Sequence, residues 1–144
     1  MRRMIRFVDS PPLSNAELNE LFFSAWESWE ARDFQPVLRR SVGYVSAHDE
    51  KRLIGFVNVA GDGGLHAFLL DATVHPDFQR RGVASALLRF LVARGGSERR
   101  KRLFGEVSIT ARPVFERHGF KVLAYQTVET NGQALGNYRM EKLL

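Results

Sequence analysis

The chain has 144 residues, a net charge of +5 at pH 7, a pI near 10.1 and no cysteine. This length predicts a single domain spanning residues 1–144, and the 44% apolar content is that of a globular protein rather than a disordered one. The lack of cysteine excludes disulfides, thiolate metal ligands and an acyl-cysteine intermediate, while the charge favours an anionic ligand without choosing between nucleic acid, an acidic membrane and a phosphorylated small molecule.

The N-terminal segment predicts a short strand followed by two helices. No signal-type apolar core follows Met1–Arg6, and no run approaches the ~20 apolar residues of a membrane span, so we expect a cytoplasmic protein with no membrane partner. Met4–Val8 is typical of a strand. A helix begins at Ser14 with a capping box and a hydrophobic staple, and Phe34–Arg40 is weakly helical. The first helix carries an apolar stripe at three- and four-residue steps: Leu18, Leu21, Phe22, Ala25, Trp26 and Trp29.

The middle of the chain changes to a β pattern. Val42–His48, Leu53–Ala60 and Leu65–Val74 are β-rich runs separated by polar or glycine-rich turns, which predicts three consecutive antiparallel strands. An amphipathic helix then begins near Val83 and ends around Gly95-Gly96.

The remaining elements complete a mixed sheet. Leu103–Ser108 is a short strand, parallel to the strand ending at Val74 if the helix between them makes a right-handed crossover. Ala111–His118 is a short helix, and Phe120–Val128 and Gln133–Leu143 flank Asn131-Gly132, a strong hairpin signal. The predicted order is β-α-α-β-β-β-α-β-α-β-β, an α/β or α+β fold with about seven strands and about four helices.

The junction between the third of these strands and its helix is a candidate anion site. The segment Asp71–Leu88 leaves an apolar strand, passes through the basic turn Gln79-Arg80-Arg81-Gly82-Val83-Ala84 and enters a helix. Unpaired N–H groups and the helix dipole at such a helix start stabilise a phosphate. A P-loop is disfavoured because no Gly-Lys-Ser/Thr follows, and a dinucleotide fingerprint because its three glycines are absent.

The order of elements and this turn resemble the GCN5-related N-acetyltransferase (GNAT) superfamily. Gln79, Gly82 and Ala84 fill the fixed places of the family's pyrophosphate-binding signature, and Phe115–Phe120 matches its later helix-to-strand segment. The resemblance covers nearly the whole chain. It implies the acyl-CoA N-acyltransferase fold, in which a mainly antiparallel sheet contains one parallel pair of strands that splay apart. It also implies an acyltransferase that moves an acetyl group from acetyl-CoA directly to a primary amine.

The resemblance also implies which residues bind acetyl-CoA. N–H groups from about Arg81 to Ala84 would hold the pyrophosphate, and the pantetheine arm would pair with the splayed strand, where the Val74 N–H is the expected donor to the thioester carbonyl and its oxyanion. Gly82 would permit the close backbone approach. The complete predicted cofactor-binding set is Ala72, Thr73, Val74, Gln79, Arg80, Arg81, Gly82, Val83, Ala84 and Ser85.

The proton-transfer residues are less defined. Asp71 interrupts an apolar run where relatives often place an acidic residue, so it is a candidate general base if burial raises its pKa; it could equally orient substrate or bond to neighbouring backbone. His75 is an alternative base, a cofactor contact or a solvated loop histidine. The resemblance places an acceptor-binding role on the first helix and thus on Trp26 and Trp29, although their spacing favours the core.

The leaving thiolate lacks its usual partner. The position where many family members have a general-acid tyrosine is Phe115, so that role cannot be carried over. Water could protonate the thiolate, and Ser108, Tyr125 and Tyr138 are possible substitutes. We therefore weigh a noncatalytic acyl-CoA-binding or regulatory domain against the enzyme.

The sequence restricts the acceptor, the oligomeric state and other ligands only in part. The acceptor could be a small-molecule or peptide amine, and the chain could be a monomer or a homodimer. No recognition helix or aromatic nucleic-acid motif supports nucleic-acid binding, and the four histidines show no metal-ligand spacing, so neither nucleic acid nor a metal is expected.

Overall fold

The computed structural model describes residues 4–97, 101–109, 111–130 and 133–144, and it contains one mixed seven-stranded sheet. The strand order is β1-β2-β3-β4-β5-β7-β6, and the pair β4–β5 is parallel while the other described pairs are antiparallel. The strands are β1 (Ile5–Asp9), β2 (Gly43–Asp49), β3 (Arg52–Gly61), β4 (His66–Val74), β5 (Arg102–Ser108), β6 (Lys121–Thr130) and β7 (Gln133–Leu143).

In the described ranges four helices connect these strands, as the residue pattern predicts. They are α1 (Asn15–Ala25), α2 (Gln35–Arg40), α3 (Val83–Ser97) and α4 (Arg112–Arg117), with a short 3₁₀ turn over Pro76–Phe78 that the pattern does not predict. The fold prediction is confirmed, including the parallel crossover. The predicted hairpin turn Asn131-Gly132 lies outside the described residues. No helix within the described ranges is long and apolar enough to cross a membrane.

Two apolar clusters lie on opposite faces of the sheet. The face covered by α3 and α4 buries Val57, Leu69, Leu87 and Met140 among others. The opposite face, covered by α1, buries Leu18, Phe22, Phe34, Tyr44 and Phe56 among others. We call these the α3 face and the α1 face. Apolar side chains therefore pack on both faces of the sheet.

Helix α1 begins as predicted but ends early. The Ser14 hydroxyl accepts from the Glu17 N–H at 3.1 Å, and the staple residues Leu13 and Leu18 are buried, 5% and 0% exposed. The predicted continuation of the stripe through Trp26 is wrong, because Trp26 caps α1 in an extended conformation and is 43% exposed. The chain then leaves the helix.

Strands β4 and β5 pair only along their first halves. Their parallel register runs from His66 opposite Arg102 to Leu69 opposite Gly105 and stops there. Beyond Gly105, β5 continues in its ladder with β7, and beyond Leu69, β4 continues in its ladder with β3. The two strands thus separate, and the side of β4 that faced β5 has no strand partner within the described residues. We call this opening the β4–β5 gap.

A β-bulge lies in β4 at the start of the gap. Phe56 pairs with Thr73 and Asn58 with Leu70, so two residues, Asp71 and Ala72, oppose the single residue Val57. Asp71 has φ +57°, a left-handed conformation that Asp tolerates better than most residues. The extra residue reverses the alternation of side chains in the strand. Leu69 and Val74 consequently both contact the α3-face cluster, although five positions separate them.

Candidate active site

The turn after β4 presents unpaired N–H groups at the start of α3. Arg80 has φ +62° and Gly82 has φ +80°, and they flank Arg81 just before the helix begins at Val83. Such an alternation of left-handed residues turns successive N–H groups toward one side, which is the geometry of an anion-binding nest. In the described part of the chain, no residue accepts a hydrogen bond from the N–H groups of residues 81–84, and Arg80 and Arg81 form no ion pair.

Gln79 connects this turn to the end of β4. Its side-chain Nε2 donates to the main-chain oxygen of Val74 at 3.1 Å. The N–H of His75 donates to the oxygen of Ile54 on β3 at 2.8 Å. Because successive residues of an antiparallel ladder point their N–H and C=O groups to opposite sides, those of Val74 point away from β3 and into the β4–β5 gap. The Val74 carbonyl accepts its hydrogen bond from Gln79, and the Val74 N–H has no partner among the described residues.

Further side chains surround the turn. The Arg81 guanidinium lies 5.3 Å from the centre of the Phe78 ring, a cation–π contact that holds its charge beside the turn. In the first turn of α3, the Ser85 hydroxyl lies 2.6 Å from Nε2 of His118. Burial lowers the pKa of His118 below its ordinary value, and nearby cations lower it further. The region is therefore basic and rich in donors, as a phosphate site requires.

His75 is buried at the end of β4, 7% exposed. Its Nδ1 lies 3.1 Å from the N–H of Asp77, and its Nε2 lies 2.9 Å from Nη2 of Arg52. Both neighbours are donors, and a neutral imidazole has one acceptor nitrogen, so each tautomer satisfies one of the two contacts. Both ring nitrogens thus already face donors of the protein. A catalytic role for His75 stays a prediction, and this geometry favours Asp71 as the base.

Asp71 occupies the bulge at the start of the gap. The residue as a whole is open to solvent. Its carboxyl group is nevertheless crowded by protein, and this desolvation raises its pKa above the ordinary value, while the positive charge of Arg32 acts in the opposite direction. A carboxylate with a raised pKa that still contacts solvent can accept a proton from an incoming group.

The Asp71 bulge is held by a short hydrogen-bond chain. The Trp26 indole Nε1 donates to Oγ1 of Thr73 at 2.8 Å, and the Thr73 hydroxyl donates to the main-chain oxygen of Asp71 at 3.2 Å. The Thr73 side chain therefore bonds to the residue that caps α1, while its main chain lies beside the gap. Trp26 lies next to the predicted site without lying in the core.

The segment between α1 and α2 is fixed by Asn19 on α1. Its Nδ2 donates to the oxygens of Asn15 and Arg32 at 2.9 Å each, and its Oδ1 accepts from the Trp29 indole at 3.1 Å and from the Arg32 N–H at 2.9 Å. The Arg32 guanidinium lies 4.1 Å from the centre of the Trp29 ring. This loop is thus ordered by side chains and places a cation near Asp71.

An exposed apolar surface lies on the α1 face beside Asp71. Phe68 and Phe104 oppose each other across the parallel pair, with ring centres 5.3 Å apart and an interplanar angle of 18°. Phe68 and Leu70 are 39% and 41% exposed. Because Ala67 and Leu69 point to the α3 face, alternation places Phe68 and Leu70 on the α1 face. We call Phe68, Leu70 and Phe104 the apolar floor.

The residues considered for protonating a leaving group have other partners. Phe115 is 7% exposed and packs edge-to-face on Phe120 in the α3-face cluster. The Ser108 hydroxyl accepts from the Ala111 N–H at 3.1 Å at the start of α4. Tyr138 packs against Tyr125, their ring centres 5.2 Å apart, and Arg112 lies over the Tyr138 ring. Within the described ranges, no three His, Asp or Glu side chains are grouped as a metal site requires.

Comparison with known proteins decides the family. A family model described as the acetyltransferase (GNAT) domain matches residues 16–142. The chain belongs to the GNAT acetyltransferase family. The family prediction made from Gln79, Gly82 and Ala84 is thereby confirmed, and the parallel pair that separates is the opening expected of this GNAT fold.

Individual relatives agree with this membership. The GNAT chain is 32% identical over 117 residues to an uncharacterized N-acetyltransferase, YafP, of Escherichia coli strain K12, covering 81% of this chain and 71% of the relative. The structure of the ribosomal-protein-S18-alanine N-acetyltransferase of Escherichia coli matches with a TM-score of 0.80 and 17% identity, covering 97% and 94% of the two chains. A Bacillus subtilis acetyltransferase in complex with CoA matches with a TM-score of 0.75 and 16% identity, covering 98% and 99%. At these identities the two structures show the fold alone.

The structure brings together most of the residues predicted for the site and adds others. Asp71, Val74 and the turn from Gln79 to Ser85 lie along one path from the gap to the start of α3. Arg32, Asn19 and His118 were not predicted as site residues. Asn19 and Arg32 are 13 residues apart in the sequence, and no known spacing pattern predicts a hydrogen bond at that separation.

Proposed function

We propose that this GNAT acetyltransferase binds acetyl-CoA at the β4–β5 gap and transfers the acetyl group directly to a primary amine. The observation that carries the proposal is the Val74 N–H, which is directed into the gap on the strand that leads to the anion-binding turn. A pantetheine arm entering the gap can add to β4 as an extra strand. Its pyrophosphate would then meet the N–H groups of residues 81–84, together with Arg80 and Arg81.

The reaction needs a neutral amine and a stabilised oxyanion. Asp71 accepts the proton of the acceptor ammonium, directly or through water, and the amine lone pair attacks the thioester carbonyl carbon. The C=O electrons move onto oxygen, and the Val74 N–H stabilises this oxyanion. When the carbonyl re-forms, the nitrogen loses its second proton to water, the C–S bond breaks and the thiolate of CoA leaves. It takes a proton from water, since Phe115 has none to give.

The chain supports a direct transfer rather than an acyl-enzyme. It has no cysteine to carry the acetyl group. The gap, where the Val74 N–H would hold the thioester, adjoins Asp71 and the apolar floor, where an acceptor would approach. Both substrates would therefore occupy the protein together. The S18-alanine N-acetyltransferase acts on an alanine amine, as its name states, which is consistent with an amine acceptor here.

The proposal is tested by measuring CoA release from acetyl-CoA with a broad panel of amines, alongside calorimetric binding of CoA. We expect CoA to bind and at least one amine to be acetylated, with the product mass increased by one acetyl group. The buried Phe115 at the usual tyrosine position favours the second candidate, a noncatalytic acyl-CoA-binding domain. Binding of CoA with no release across the panel would support that candidate, and failure to bind CoA would contradict both.

A further inference from the structure

The acceptor can be assigned to a chemical class, given the proposed function. We propose that it is a free amino acid with an apolar side chain, whose carboxylate binds Arg32, whose amine faces Asp71 and whose side chain lies on the apolar floor. Three features of the α1 face carry this inference: a fixed cation, a carboxylate beside it and an exposed apolar surface next to both.

Arg32 is held in place without an acidic partner. Its main-chain N–H and oxygen are both bonded to Asn19, and its guanidinium stacks on Trp29 at 4.1 Å. Within the described residues, no carboxylate lies within ion-pair distance of it. A cation fixed by a ring rather than by an acid retains its donors for an outside carboxylate, which a guanidinium binds in a two-pronged geometry.

A chain of contacts links Arg32 to the Asp71 bulge. Trp26 bonds to Thr73 two residues from Asp71, the Trp26 and Trp29 ring centres are 6.4 Å apart, and Arg32 covers Trp29. The Arg32 charge is close enough to act on the Asp71 carboxyl. It therefore also repels the ammonium of a simple amine approaching Asp71. An acceptor that carries its own carboxylate next to the amine removes this repulsion, since the anion contacts Arg32 while the ammonium faces Asp71.

The apolar floor supplies the third contact. Phe68 and Leu70 remain open to solvent in the middle of the sheet, a location where large side chains are normally covered. Leu70 directly precedes Asp71, so an acceptor whose amine faces Asp71 has the floor within reach of its side chain. Covering apolar surface of this kind stabilises the complex by roughly 25 cal/mol per Å².

Matched substrates separate the three contacts. We would compare kcat/KM for L-phenylalanine, L-phenylalaninamide and 2-phenylethylamine, and for L-leucine against 3-methylbutylamine. We expect each acid to exceed its decarboxylated partner and the amide by roughly 10-fold to 100-fold, the range for losing a charge-assisted hydrogen bond. L-Alanine should be poorer than L-phenylalanine because it leaves the floor uncovered.

Variants assign the preference to Arg32. Arg32→Gln should reduce the acid-over-amine ratio to near one, while Lys51→Gln, the same charge change in the exposed β2–β3 turn, should leave it unchanged. Equal or better rates with the amines or the amide in the wild type, or a ratio unaffected by Arg32→Gln, would overturn the inference. Preference for the amide would indicate a peptide N-terminus instead. Absence of CoA release with every amine would contradict the proposed function, and this outcome differs from acetylation without an acid preference.

Discussion

The side-chain amide of Gln79 donates to the main-chain oxygen of Val74 at 3.1 Å, which joins the turn before α3 to the strand whose N–H faces the gap. The two predicted parts of the cofactor site, pyrophosphate turn and reaction strand, are thereby one hydrogen-bonded unit. Gln79 thus acts on the protein's own backbone, so its effect on cofactor binding is indirect.

Gln79→Ala should weaken CoA binding without unfolding the protein. Removing one neutral hydrogen bond costs about 1 kcal/mol, so we expect the Kd for CoA to rise roughly threefold to tenfold. Isothermal titration calorimetry measures this change. Gln126→Ala on β6 provides the same substitution away from the gap and should leave the Kd unaltered; equal effects of the two variants would contradict the role of Gln79.

Two glycines with the same conformation allow a controlled test of the turn. Gly82 has φ +80° and Gly63 has φ +83°, and an added Cβ would meet nothing within 4 Å at either position. Alanine at each should therefore destabilise the protein by strain alone, by about 1 kcal/mol. We expect only Gly82→Ala to weaken CoA binding as well, by roughly tenfold. A similar Kd change in Gly63→Ala would show that the loss arises from general destabilisation.

The pH dependence of activity should report Asp71. As general base it must be ionised, so kcat/KM should fall as the pH falls through a pKa that lies above the ordinary aspartate value. Arg32 lowers that pKa, so Arg32→Gln should move the acidic limb to higher pH. In steady-state assays, Asp71→Asn should show no acidic limb in its pH profile and should have lost most of its activity. An unchanged rate and profile in Asp71→Asn would remove Asp71 from the mechanism.

The bond between Trp26 and Thr73 can be isolated by a double-mutant cycle. Trp26→Phe keeps an aromatic ring and Thr73→Val keeps the size, and each removes one partner of the 2.8 Å contact. We expect a coupling of about 1 kcal/mol in the free energy of unfolding, measured by urea denaturation. Each single variant should also lower kcat, because Thr73 bonds the main chain of Asp71. Additive effects would show that the bond contributes nothing.

Two histidines should make stability fall in mild acid. Burial lowers the pKa of His48, whose Nε2 lies 2.8 Å from the Ser46 hydroxyl, and also that of His118, from an ordinary value of 6.5. The unfolded chain therefore binds more protons than the folded one as the pH falls below 6.5, and the free energy of unfolding decreases through that window until the folded histidines protonate. His48→Gln should flatten this dependence in urea titrations at several pH values, and an unchanged slope would contradict it.

The sheet was predictable because local and long-range signals agree along it. Each strand has its own β-rich run, polar or glycine-rich turns separate the runs, and the helix between Val74 and Leu103 allows one crossover hand. The end of α1 was not predictable in the same way. The apolar period continues through Trp29, whereas the helix stops at Ala25, and Asn19 bonds the returning chain at Arg32. Hydrophobic periodicity carries no information about such side-chain-to-backbone bonds.

Part of the candidate site was likewise predictable from the sequence and part was not. The motif from Gln79 to Ala84 predicts an anion-binding turn, and the structure has a tight turn there with left-handed residues at Arg80 and Gly82. Among the residues near Asp71, Trp26 was predicted to bind the acceptor from the family resemblance, whereas Arg32 was not, since it lies in a loop that no motif defines. Phe115 shows a further limit: its position was predictable, but its packing on Phe120 depends on the assembled core.

The bulge at Asp71 and Ala72 means that the site depends on the number of residues as well as on their identity. A chain one residue shorter between Leu70 and Thr73 would keep Thr73 opposite Phe56 and Val74 opposite Gly55, so both side chains would stay on their present faces, but the bulge and the left-handed conformation of Asp71 would be lost. A single-codon deletion here would therefore leave both apolar clusters and the strand register intact and change only how the candidate base Asp71 is presented.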